Sequence, residues 1–134
     1  MGDTALILLD THAWIWWAAG SAELSSMAAR EIERGVASGE VHIASISCWE
    51  VSLLVRKGRL ALTMPVDVWI GRSETLPFVR FVPLDNHIAW RSNQLPGELH
   101  EDPADRIIVA TALTLGAVLI TKDARLRAYV RTAW

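Results

Sequence analysis

The sequence predicts an α/β protein in which helices cover both faces of a mostly parallel sheet. Apolar runs with the pattern of buried strands alternate with stretches of helical periodicity; the runs are residues 5–9, Val41–Ala44, 79–84 and 117–120. This alternation indicates a three-layer α/β/α architecture. The chain has 134 residues, of which 51% are hydrophobic and 21% charged, and we expect residues 1–134 to form one domain with a single core.

Composition also limits the class of protein. The single cysteine, Cys48, excludes an internal disulfide and fits a reducing cytosol. The first ten residues lack the basic and long apolar regions of a signal peptide. The longest apolar run, residues 107–121, is too short for a membrane span. We therefore expect a cytoplasmic protein that does not contact the membrane.

The charge balance argues against a protein that coats nucleic acid. The formal net charge is −2 and the isoelectric point about 6.1, whereas non-specific duplex binding relies on neutralising phosphates. Basic residues do cluster locally, at 56–59 and 125–131. Such clusters are more typical of solvated surfaces and become relevant only if they border an active site.

The first strand ends at an acid whose position fits two roles. Asp10 follows the apolar residues 5–9, so its carboxylate is expected at the carboxyl end of a buried strand. It or Thr11 could equally cap the next helix, which stops at Gly20. That helix contains three tryptophans, at positions 14, 16 and 17, which cannot share one face. At least one is expected to point outward, where a partner could cover it.

The third helix carries a second acid with two possible roles. After a helix from about 24 to 38 and the strand Val41–Ala44, Ser45 or Ser47 is expected to open this helix. Glu50 lies four residues from both Ile46 and Leu54, which directs it toward the apolar side. The run from Ser47 to Glu50 also matches a capping box, in which the glutamate holds its own helix start. Local sequence favours the capping box.

The following segment continues the alternation. Pro65 is expected to begin a helix through about residue 76, with Trp69 on its inner face. The strand at 79–84 leads to Asp85, which caps a helix carrying Ile88, Ala89 and Trp90, and residues 94–101 form a polar loop.

Residues 101–123 read as a complete helix–strand unit with acids at both ends. Asp102 suits the N-cap, Pro103 the first helical position and Asp105 the third, while Gly116 suits the helix end. The apolar residues 117–120 indicate a strand covered on both faces. Asp123 follows at its carboxyl end, where open α/β sheets bind ligands.

The acids predict a metal site at that edge of the sheet. Asp10 and Asp123 follow parallel strands, and Glu50 and Asp105 are expected in first turns of helices that begin there. Carboxylates gathered together repel one another unless a cation compensates. Oxygen ligands select Mg²⁺ or Mn²⁺, and the sequence has no zinc-spaced His or Cys pair. Such an ion activates water and neutralises charge on a phosphodiester during cleavage.

Four segments of the chain resemble, in order, the motif blocks of PIN-domain ribonucleases, and of the VapC-type toxins in particular; they are LILLDTHAWIWW, SISCWEVSLLVRKGRL, DPADRIIVATAL and LITKD. The resemblance implies a PIN-like domain with metal-dependent endoribonuclease activity. It also implies a homodimer, an antitoxin protein as partner, and catalytic and metal-binding roles for the matching acids, Asp10, Glu50, Asp105 and Asp123.

Other residues of these blocks receive weaker assignments from the same resemblance. Thr11 and Thr121 match hydroxyl positions beside the metal acids, where they could orient the ligands. Asp102 matches the first acid of its block and is kept as a helix cap, and no metal role follows for His12.

Two other classes of protein remain as alternatives. A signalling receiver also uses acids, a threonine and a lysine at this edge. It needs an aspartate at the end of its third strand to accept phosphate, however, and no mid-chain strand here ends that way at the right place. A non-catalytic interaction module could keep the fold, although all four acids are present. Basic residues such as Arg56, Lys57 and Arg125 are candidates for contacting the RNA around the acids.

Overall fold

The computed structural model describes residues 5–96 and 101–134. Within these ranges strands and helices alternate, and the elements are β1 (Ile7–Leu9), α1 (Thr11–Ala19), α2 (Ser26–Ser38), β2 (Val41–Ala44), α3 (Ile46–Arg56), α4 (Val66–Glu74), β3 (Val79–Val82), α5 (Asn86–Arg91), α6 (Pro103–Leu115), β4 (Val118–Ile120), a 3-10 helix (Ala124–Ala128) and β5 (Thr132–Ala133).

The strands form a five-stranded sheet in the order β3-β2-β1-β4-β5. Every pairing between them is parallel. The predicted parallel α/β architecture is confirmed. Because β1 lies in the middle between β2 and β4, the residues that follow these three strands meet at one edge of the sheet.

The core lies on both faces of the sheet, as a three-layer fold requires. Ile7 and Leu9 of β1 pack with Trp14 of α1 on one face. The residue between them, Leu8, packs on the other face with Ile108 of α6. Alternate side chains of a strand point to opposite faces, so all three β1 residues are buried. This burial explains the continuous apolar run that predicts the strand.

Helix starts and ends follow the sequence closely. Asp10, Ser25 and Asp85 each accept a hydrogen bond from a backbone N–H in the first turn of the helix that follows. Asp102 does the same for α6, and Pro103 occupies the first position of that helix. Gly116 ends α6 with φ of 66°, a left-handed conformation that costs glycine little.

Some boundaries and exposures differ from the sequence expectations. The strand expected at 79–84 ends at Val82, because Pro83 has no N–H for continued pairing. No tryptophan of α1 is exposed, contrary to the prediction. Trp16 is covered by Trp134, and Trp17 packs against Phe78. These covering residues are distant in sequence, so helical periodicity could not reveal them.

Part of the polar loop expected at 94–101 lies outside the described residues, because the structure describes none of 97–100. Among the helices it does describe, none combines the length and apolar character needed to cross a membrane.

Candidate active site

Asp10 has both of the roles that the sequence analysis considered, at the end of a strand and at the start of a helix. It follows β1 and caps α1, with Oδ1 accepting a hydrogen bond of 2.8 Å from the N–H of Ala13. Its other oxygen accepts from the Thr121 hydroxyl at 2.5 Å, which joins the ends of two neighbouring strands. Burial raises the pKa of Asp10, the two hydrogen bonds lower it in part, and the charge of Asp105 raises it further.

Glu50 is turned toward this edge by a contact with α1. Thr11 is buried and its hydroxyl donates to Oε1 of Glu50. The same hydroxyl lies within hydrogen-bond distance, 2.9 Å, of Ser47 Oγ. Burial is the main cause that raises the pKa of Glu50, the Thr11 hydrogen bond lowers it, and the charges of Asp105 and Asp102 raise it.

The capping box favoured by local sequence is wrong. Helix α3 begins at Ile46, with Ser45 as its N-cap and no side-chain capping bond. Ser47 therefore lies inside the first turn, and Glu50 falls in the second turn rather than the first. A capping glutamate must sit at the third helical position to reach back to the cap. The long-range bond to Thr11 replaces the local one.

The closest grouping of acids combines α3 with the start of α6. Glu50, Asp102 and Asp105 each place one carboxylate oxygen within 4.8 Å of the others. Asp102 also performs its expected capping role, accepting from the N–H of Ala104 at 2.9 Å. Its presence in this group was not anticipated. The signal for it was the three-residue spacing to Asp105, which puts both acids on one face of the helix.

Asp123 lines the same pocket but is engaged by an arginine. The Arg125 guanidinium donates to both of its oxygens, at 3.0 and 2.8 Å. Asp123 Oδ1 also caps the 3-10 helix at the N–H of Arg125, and its own N–H donates to Thr121 Oγ1 at 3.1 Å. Asp123 also raises the pKa of Arg125. It is therefore near the acid group of α3 and α6 without belonging to its tightest part.

The pocket as a whole gathers every acid that the sequence singled out, together with Asp102; its charged and polar lining residues are Asp10, Glu50, Asp102, Asp105, Asp123, His12, Lys122 and Arg125. Carboxylate oxygens are the preferred ligands of hard divalent cations. Two of these carboxyls, Asp10 and Glu50, have raised pKa values, mainly because burial disfavours their charged forms and to a lesser degree because of neighbouring carboxylates. The donor set therefore fits Mg²⁺ or Mn²⁺.

Comparison with known proteins identifies the class to which this fold and pocket belong. Residues 7–131 match the PIN domain family, so the chain belongs to it. The chain is 37% identical over 123 residues to Ribonuclease VapC22 of Mycobacterium tuberculosis (strain ATCC 25618 / H37Rv), which covers 92% of this chain and 91% of that protein. Within the PIN-domain family, the chain is a VapC-type ribonuclease toxin. This membership decides against the receiver alternative.

Solved structures share the fold at lower identity. A VapBC2 structure from Rickettsia felis, bound to a DNA fragment from the promoter, matches with TM-score 0.67 and 14% identity, covering 95% of this chain and 97% of that one. DNA-bound VapBC from Salmonella typhimurium matches with TM-score 0.66 and 20% identity, covering 96% and 97%. FitAcB from Neisseria gonorrhoeae matches with TM-score 0.61 and 24% identity, covering 95% and 96%.

Proposed function

We propose that this chain is a Mg²⁺- or Mn²⁺-dependent endoribonuclease that hydrolyses RNA at the acid pocket. The observation that carries the proposal is the approach of three carboxylate oxygens, from Glu50, Asp102 and Asp105, to within 4.8 Å of one another. Glu50, Asp105 and Asp10 are the proposed catalytic acids that hold the metal, with Asp123 as a fourth. A bound ion would activate water and neutralise charge on the phosphodiester.

The surrounding hydroxyls are suited to orient these acids. Thr11 and Thr121 donate to Glu50 and Asp10, and both threonines are buried. Each carboxylate oxygen has two lone pairs, so an oxygen that accepts one hydrogen bond can still bind a second partner. Hydrogen bonds to the ionised form also counteract the burial that raises the pKa of each acid. We therefore assign the two threonines an orienting role.

Asp123 would join the metal site by exchanging its arginine partner. Its carboxylate is now shared between the guanidinium of Arg125 and the N–H that begins the 3-10 helix. The Arg125 side chain is 68% exposed, so it can leave without disturbing the core. A divalent ion would then compete with Arg125 for this carboxylate, because both are cations that bind the same oxygens.

The proposed partners are RNA, an antitoxin and a second copy of this chain. Similarity to a structure described as a toxin–antitoxin complex supports the antitoxin. It would cover α1, where Trp16 and Trp17 are only half-buried, and reach the acids with an arginine in place of the metal. Hydrogen exchange with and without the antitoxin tests this. Unchanged protection across residues 12–19 and around Asp105 would contradict it, and light scattering of the isolated chain tests the homodimer.

Cleavage by the purified protein tests the function itself. The protein is incubated with total RNA in EDTA, in Mg²⁺, in Mn²⁺ and in Zn²⁺, and new RNA ends are mapped by sequencing. We expect discrete internal cuts in Mg²⁺ or Mn²⁺ and none in EDTA. Cuts that persist in EDTA would contradict metal dependence. Intact RNA under all conditions would favour a non-catalytic module of the same fold.

A further inference from the structure

His12 stands at the wall of the acid pocket, and neither the fold nor the proposed metal site uses it. It is exposed and lines the pocket together with Glu50 and Asp105. Its ring centroid lies 5.5 Å from that of Trp16, with the planes inclined at 49°. The two residues are four apart on α1 and therefore share one face of the helix.

Two tryptophans pack one behind the other next to His12. Trp16 lies 5.7 Å, centroid to centroid, from Trp134. Both tryptophans are half-buried and pack against the hydrophobic core. His12, Trp16 and Trp134 thus form an aromatic column that starts in the core and ends in an exposed ring at the acid pocket. A ring supported in this way loses little conformational entropy when it binds a flat ligand.

The carboxylates of the acid pocket oppose the phosphate contacts that usually hold RNA. They repel the phosphates of any RNA that enters, and the chain has a net charge of −2. Proteins that hold single-stranded nucleic acid obtain much of their affinity by stacking bases on aromatic rings. Stacking is indifferent to the sign of the local charge, so it can operate beside an acidic site.

We propose that the exposed face of His12 stacks against an unpaired RNA base next to the phosphodiester in the acid pocket. Trp16 and Trp134 are positioning residues that support the ring and do not touch the RNA. This inference rests on the ribonuclease function, since it assigns how that function holds its substrate. It makes His12 a substrate-binding residue through its ring face.

RNA binding by His12 variants tests the proposal. Fluorescence anisotropy measures the affinity of a labelled, random-sequence single-stranded RNA of about 20 nucleotides, in EDTA and at several salt concentrations. We expect His12→Ala to weaken binding about tenfold, whereas His12→Phe retains affinity within about threefold because the flat ring remains. The slope of affinity against salt should stay unchanged, because stacking releases no counterions.

A second histidine on the surface supplies the matched control. His87 is also exposed, and its ring centroid lies 5.8 Å from that of Trp90. It belongs to α5, however, and is not among the residues that line the acid pocket. His87→Ala should leave RNA affinity unchanged. An RNA backbone of the same length without bases should bind the wild type and His12→Ala with the same weak affinity, because it has no base to stack.

Several results would overturn the inference. The first is RNA binding by His12→Ala that equals binding by the wild type, including the case in which neither binds measurably. The second is RNA binding by His12→Phe as weak as that of His12→Ala, which would assign the effect to the ring nitrogens. An unchanged RNA affinity with weakened antitoxin binding would assign the surface to the partner protein. Because binding is measured in EDTA, each of these results leaves the metal-dependent cleavage to be judged by its own experiment.

Discussion

Replacing Asp105 by asparagine should stabilise the metal-free protein. Asp105 is the third residue of α6, where a carboxylate normally favours the helix dipole. If Asp105 had that role alone, its neutralisation would destabilise the protein by about 0.3–1 kcal/mol. Asp105 also places an oxygen within 4.8 Å of oxygens of Glu50 and Asp102. The two contributions have opposite signs, so the measurement distinguishes them.

The size of the repulsion follows from this separation. Two unit charges 4.8 Å apart repel by roughly 3.5 kcal/mol at an effective dielectric of about 20, and by about 0.9 kcal/mol in bulk water. Asp102 is exposed, so the lower value suits it better. Even two pairs at the bulk value amount to about 1.7 kcal/mol, which exceeds the dipole contribution. After that contribution is subtracted, about 1 kcal/mol remains, a rise in melting temperature of about 2–6 °C.

Thermal unfolding in EDTA at low ionic strength measures this change. Mg²⁺ should stabilise the wild type more than Asp105→Asn, because a ligand that binds only the native state stabilises it more when it binds more tightly. Asp67 is the matched control, a first-turn acid of α4 that is not part of the three-acid group. Asp67→Asn should melt slightly lower. A lower melting temperature for Asp105→Asn, with an unchanged response to Mg²⁺, would refute the reasoning and leave Asp105 as a helix-capping acid.

Three further predictions concern the groups around these acids. The raised pKa of Glu50 means that its carboxyl keeps its proton in the folded state to a higher pH than the ordinary pKa of 4.5 allows. Its ionisation therefore costs stability, and this cost develops as the pH rises from the ordinary pKa through the folded pKa. The melting temperature of Glu50→Gln in EDTA should accordingly increase relative to the wild type as the pH is raised above about 4.5. A constant difference would contradict this. Arg125→Ala should tighten Mg²⁺ binding, measured by calorimetry, because it releases the carboxylate of Asp123. Arg127→Ala, on the same 3-10 helix, is the control and should have a smaller effect. Equal effects of the two variants would show only a general change of charge. Thr11→Val should destabilise by about 1–3 kcal/mol in chemical unfolding, because it leaves the partners of a buried hydroxyl unsatisfied, whereas Thr11→Ser should retain the stability.

The sequence predicted the edge of the sheet where the acids meet because local rules determine most of it. Buried strands give continuous apolar runs, and caps such as Asp102 and Gly116 mark helix ends whatever the rest of the fold does. Asp10 then follows its strand by chain connectivity alone. Parallel pairing puts these ends together, as the structure confirms for β1 and β4.

The details that the sequence missed depend on contacts between distant residues. Glu50 is held by Thr11, 39 positions earlier in the chain, and no local pattern encodes that bond. The local pattern predicted a capping box instead. The last strand, β5, has only two residues and pairs with β4 alone, which is too short a run for periodicity to detect. The covering of Trp16 by Trp134 is hidden from sequence for the same reason.

The central claim, metal-dependent cleavage at the acid pocket, is tested most directly by comparing two capping aspartates. Asp10 and Asp85 each accept a 2.8 Å hydrogen bond from the N–H three residues later, at the start of α1 and α5 respectively. Asparagine is as good an N-cap as aspartate, so both variants should fold, which circular dichroism verifies. RNA cleavage in Mg²⁺ should fall by more than about a hundredfold in Asp10→Asn and remain at the wild-type rate in Asp85→Asn. A folded Asp10→Asn protein that cuts RNA as fast as the wild type would contradict the account.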